Sequence, residues 1–175
     1  MAWTAPMTFT DGVPLTAAQL NTHLRDNLLE TAPAKASTPG SLFVTTGPNQ
    51  ISERQFIHAL GSQVVSTSST SYENVEGGPS ITVETGTSAL VWISAGVMNS
   101  NTVNQSLMSV AVSGATSIEA VDQISIRLSG DRWQNTANFH VFHDLQPGEN
   151  TFTAQVRVSA GTGTFMQRRL TVLPL

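Results

Sequence analysis

Ala89-Leu90-Val91-Trp92-Ile93-Ser94-Ala95-Gly96-Val97-Met98 is apolar on both sides of an extended chain. At a period of two, Ala89, Val91, Ile93, Ala95 and Val97 share one face, and Leu90, Trp92 and Met98 share the other. Valine, isoleucine and tryptophan fit a pleated surface, so the stretch reads as a strand. In a two-layer sandwich one face of each strand meets solvent, and a doubly apolar strand implies a second cover. The cover expected here is the neighbouring protomer of a trimer, with Val91, Ile93 and Arg168 as candidate interface residues. The competing reading folds the loop around 98–105, or the hairpin that precedes the β-region, over that face.

Outward from this strand the chain stays β-like. The spacing predicts strands at 63–68, 80–85, 88–98, 105–113, 123–129, 136–143, 151–159 and 163–173. Turn signals such as Gly77-Gly78-Pro79, Ser129-Gly130-Asp131 and Pro147-Gly148-Glu149-Asn150 separate them. Strands at this spacing with no helical stretch between them indicate a mainly β fold, an antiparallel β-sandwich and most simply a jelly roll; with a neighbouring protomer covering the doubly apolar strand, it would be trimeric in the manner of tumour-necrosis-factor-like jelly rolls. Phe152, Ala154, Val156 and Val158 alternate with Thr153, Gln155 and Arg157, as a half-wet strand requires. In the last strand, strict alternation places Arg168 with Met166, Leu170 and Val172, opposite Phe165, Gln167, Arg169 and Thr171. A guanidinium on the more apolar face must be paired or otherwise satisfied, which is why Arg168 is assigned to the interface.

The first thirty residues have a different character. Thr16 and Gln19 fit a capping box, and Leu15 and Leu20 a hydrophobic staple. Leu20, Leu24 and Leu28 make one apolar stripe, and Pro33 is expected to end the helix soon after Glu30. A helix this short is marginal alone in water, so the stripe needs a partner. Residues 31–40 read as a linker from their prolines and small side chains, and Ser41–Thr46, Gly47-Pro48-Asn49 and Ile51 as a short hairpin. The expected organisation is therefore an arm and amphipathic helix over 1–30, a linker and hairpin over 31–60, and a β-sandwich over 61–175.

Trp3-Thr4-Ala5-Pro6, the turn at Gly12 and the run from Leu15 to Leu28 resemble the N-termini of minor tail or fibre-type virion structural proteins of actinobacterial tailed phages and prophages. Ser113-Gly114-Ala115-Thr116, Asp144 to Val158 and Gly161 to Leu175 resemble β-domains of the same phages. The resemblance implies a virion protein anchored by its N-terminus, with Trp3, Phe9, Leu20, Leu24 and Leu28 as attachment residues. The alternative is a head fibre or capsid decoration protein on the capsid shell.

Composition restricts the chemistry. Charged residues make up only 11% of the 175, and Lys35 is the only lysine. A net charge of −4 argues against nucleic acid as a partner, since binding it needs a basic face. Cysteine is absent, and no run has the length or apolarity of a membrane span or signal peptide. His140 and His143 are three apart in a strand, hence on opposite faces, and His23 and His58 stand alone. No carboxylate pair, nucleophile elbow or calcium loop is recognisable, so the expectation is a protein that is not an enzyme, with no metal and no cofactor. Trp133, beside Gln134 and Asn135, has the chemistry of a sugar contact, an aromatic face next to amides. Trp133 and Asn135 are accordingly candidates for contact with host-surface carbohydrate, against the plainer reading in which Trp133 caps the sandwich. Tyr72 is a weaker candidate of the same kind.

Overall fold

The structure, a computed structural model, describes residues 4–175. The chain divides into two compact units at Gln55 and Phe56.

In the first unit, Thr16 caps α1 (Ala17–Leu20), and Gln19 closes the expected capping box. The helix continues through a wider π-helical stretch, Asn21–Asp26, into α2 (Asn27–Leu29). A side-chain bond marks the end of this stretch. The Asn27 side-chain nitrogen donates to the carbonyl of His23 at 3.2 Å, the partner that a regular helix reserves for the Asn27 backbone N–H. That N–H goes to Leu24 instead. The helix ends at Leu29, with Glu30 as its C-cap, where the sequence places its end; Pro33 lies in the first turn of a separate helical piece, α3 (Ala32–Lys35), where a missing N–H costs little. Antiparallel strands β1 (Leu42–Gly47) and β2 (Gln50–Arg54) form the hairpin, with Asn49 in the left-handed conformation its turn requires. Side-chain bonds run from the expected linker over 31–40 to the hairpin. The Glu53 carboxylate accepts from the backbone and hydroxyl of Ser37 and from the Thr38 N–H at 2.8 Å, and Lys35 donates to the Ile51 carbonyl.

The second unit is a sandwich of nine strands: β3 (Ile57–Gly61), β4 (Val65–Thr67), β5 (Ser80–Thr85), β6 (Ala89–Asn99), β7 (Gln105–Gly114), β8 (Ile126–Ser129), β9 (Gln134–Phe142), β10 (Gly148–Val158) and β11 (Gly163–Pro174). One sheet runs β5-β10-β7-β8; the other runs β3-β11-β6-β9, with β4 beside β3 on the same edge of β11. The pairs are nested: β3 and β4 with β11, β5 with β10, β6 with β9, β7 with β8, all antiparallel. That nesting is the jelly roll, and it fixes the fold from strand pairing alone. The sheet begins earlier than the sequence reading placed it, because the five residues of β3 are too few for their alternation to stand out.

Between the sheets lie Val91, Ile93, Ala95 and Val97 of β6, Met108 and Val110 of β7, Phe152, Ala154 and Val156 of β10, and Phe165, Leu170 and Val172 of β11. Phe142 packs edge-on against Phe152 at 5.7 Å. Val91 and Ile93 thus spend their side chains inside one chain, which overturns their assignment to a subunit interface. The second apolar face of β6 is Leu90, Trp92 and Met98, none of them fully buried.

β11 corrects the alternation. Met166 pairs with Gly96 but Arg169 with Ser94, so β11 carries one extra residue, and Gln167 takes a φ of 47° to absorb it. The bulge brings Phe165 onto the same buried face as Arg168, Leu170 and Val172, and turns Met166 outward.

Candidate functional site

In the first unit, the arm is held against the helix by polar contacts. Buried Asn27 accepts from the Thr4 N–H at 2.8 Å and donates to the Thr4 carbonyl at 3.0 Å; His23 Nδ1 lies 3.1 Å from the Ala5 carbonyl oxygen. This clamp brings Phe9, Leu20 and Leu24 together with Met7, Gln19 and His23 around an apolar cleft of about 140 Å³. Phe9, Leu20, Leu24 and Leu28 all remain largely exposed, as do Leu15 and Leu29. Trp3, the other attachment candidate, lies outside the described residues. Asn27 was missed in the sequence because an asparagine on a short helix reads as a surface residue.

The second surface is the outer face of β3-β11-β6-β9. Trp92 stands between Phe56, at 5.7 Å between ring centroids, and Phe139, at 6.4 Å. Phe139 is 62% exposed, Phe56 49% and Trp92 37%. Leu60 on β3 extends the patch, and His58 and Thr171 bond to each other within it at 3.0 Å. Three adjacent exposed aromatics amount to far more apolar surface than a scattered leucine does.

Arg168 is not at a surface: it is 1% exposed. One terminal nitrogen donates to the carbonyls of Gln63, Glu76 and Gly77 at 3.3–3.5 Å, while Nε and the other terminal nitrogen have no partner. Its assignment to a subunit interface is therefore overturned; the guanidinium is satisfied in part by loop carbonyls of its own chain. Burial pushes its pKa down. A Cβ on Gly61 would stand 2.6 Å from the Gly77 carbonyl oxygen, so only glycine lets the loops close on this cage.

Trp133 is 41% exposed beside the turn at Gly130, and Asn135 is the second residue of β9. The two do not converge on one pocket: Asn135 lines a cleft on the outer sheet face that Trp133 does not reach. Tyr72 belongs to a tie on the opposite sheet. Its hydroxyl donates to Asp122 at 2.9 Å, Arg157 pairs with the same carboxylate, and the guanidinium carbon sits 5.4 Å from the Tyr72 ring centroid. Arg157 chiefly, with Tyr72, holds the Asp122 carboxyl below its usual range; burial first, then Asp122, pushes the Tyr72 phenol up. His140 is pushed down by burial and by His143. Among the described residues, no group of three or more His, Cys, Asp or Glu side chains could hold a metal ion, and no helix is long and apolar enough to cross a membrane.

No protein-family model matches the chain, and no curated protein matches it. Among solved structures, the chain is similar to Eiger TNF from S. frugiperda, at 13% identity and a TM-score of 0.43, over 69% of this chain and 92% of that one. It is similar to the VP2 subviral particle protein of infectious bursal disease virus at 12% identity and a TM-score of 0.43, over 75% of this chain. A family two carbohydrate esterase from Cellvibrio japonicus follows at 15% identity and a TM-score of 0.26, over 70% of this chain and 34% of the esterase. The chain spans 37% of the bursal disease virus protein. These likenesses are weak, and the jelly roll stands on the nested strand pairs described above.

Proposed function

We propose that this chain is a non-enzymatic structural protein of a phage virion, a short trimeric fibre or minor tail protein. Its arm and helix attach it to the particle, and its jelly roll forms the head. The observation that carries the reading is where the exposed apolar side chains fall. One group covers the arm and helix, at Phe9, Leu20, Leu24 and Leu28; another covers one sheet face, at Phe56, Trp92 and Phe139. The first group suits a socket on another virion protein, since each large apolar side chain buried is worth about 1.5–3 kcal/mol. The second suits the seam between copies, where aromatic anchors contribute most. The resemblance of residues 3–29 to phage tail proteins supports the same reading. Trp133, at the turn end of the sandwich, is the side chain proposed to meet host-surface carbohydrate. A capsid decoration protein would share all of these features and differ only in its socket.

The test is incorporation. Chains lacking residues 1–30, mixed with particles depleted of the native protein, should fail to bind while the full chain binds. Normal incorporation of the truncated chain would defeat the anchor. Electron microscopy of intact particles then separates tail from capsid.

A further inference from the structure

Beside the aromatic patch, on the same outer sheet face, the bulge in β11 opens a cleft of about 170 Å³. It is lined by Ser94, Gly96, Asn135, Thr136, Gln167 and Arg169. Three features of the chain produce it. The extra residue at Gln167 interrupts the pairing of β11 with β6. Gly96 contributes no side chain, and a Cβ there would lie 2.8 Å from Met166. Ser94, the register partner of Arg169, is small. Among the described residues, Ser94, Asn135, Gln167 and Arg169 have no hydrogen-bond partner for their side chains, and Arg169 has no ion pair, whereas Arg157 on the other sheet is fully engaged.

We infer that this cleft is an oxyanion site, with Arg169 as the charge partner and the Asn135 and Gln167 amides and the Ser94 hydroxyl as donors. The inference rests on the trimer reading, because the patch and the cleft share one face and a seam over the patch takes water from Arg169. A guanidinium losing water requires an opposite charge, and the cleft offers four sets of donors and no carboxylate. The oxyanion comes either from a free ion such as phosphate or from a carboxylate of the neighbouring copy. Arginine suits both, since its planar fork matches either geometry.

Sedimentation of the full chain, with chloride exchanged for inorganic phosphate at constant ionic strength, separates the sources. A free ion should tighten trimer association about tenfold, and Arg169→Gln should abolish that gain. A neighbour's carboxylate should leave phosphate without effect and weaken association about tenfold as pH falls through the carboxylate range, again only when Arg169 is present. A wild-type trimer indifferent to both phosphate and acid, and matched by Arg169→Gln, overturns the oxyanion site while the trimer stands. A chain that stays monomeric at high micromolar concentration overturns the trimer, and with it the closed seam that the site requires.

Discussion

Single residues set the strongest local constraints, and Arg168 is the clearest. Its guanidinium, with two nitrogens unpartnered, holds three loop carbonyls from inside the sandwich. Removing it leaves both a void and orphaned acceptors, so Arg168→Ala should destabilise by about 2–4 kcal/mol in urea denaturation. Arg168→Met fills the void and removes a buried charge, and should lose less. An alanine variant as stable as wild type would mean that the cage is not closed in solution. Asp122 sets a pH limit. Its folded pKa lies below the unfolded value, so its contribution is present above the ordinary carboxylate range and lost as pH falls through the lowered one. The pair is partly exposed, which keeps the effect under about 1 kcal/mol. Asp122→Asn should flatten that part of the acid limb of stability, measured by thermal unfolding from about pH 6 down to pH 2.

At the scale of elements, the bulge in β11 matters most. Gln167 pays for its left-handed backbone in steric strain, so Gln167→Gly should hold stability within about 1 kcal/mol, and Gln167→Val should lose about 1–2 kcal/mol. Equal stability of the glycine and valine variants in denaturant titrations would argue that the bulge is not where it is described. The same element shows what the sequence conceals. Eight of the nine sandwich strands were legible because β-branched residues alternate between turn signals, and α1 was legible because Thr16 and Gln19 form a capping box. The bulge carried no glycine or asparagine to announce it, so the faces before and after Gln167 were read in one phase. The second apolar face of β6 was legible, but which of its two faces met the core was not. Both are rich in apolar residues, and only pairing with the opposite sheet decides. The apolar stripe that gathers Leu20 and Leu24 beside Phe9 was readable from periodicity and position, whereas the Asn27 clamp depends on a contact 23 residues back along the chain.

For the whole molecule, the exposed aromatics predict behaviour in solution. If the proposed trimer forms through this face, Trp92→Ser combined with Phe139→Ser should weaken its association constant by at least tenfold in sedimentation equilibrium, with little change in monomer stability, because both side chains face outward. Unchanged association would assign the seam elsewhere. The nested pairing has a further consequence, which concerns synthesis. β3 and β4 lie at the start of the sandwich, yet both pair with β11, and the His58–Thr171 bond spans 113 residues. Such long-range closure slows folding. A ribosome-bound chain therefore carries β3 and the inner face of β6 without the strand that joins them until β11 has been made. Prematurely terminated chains cannot close this sheet, and only chains whose translation has run through β11 complete the jelly roll.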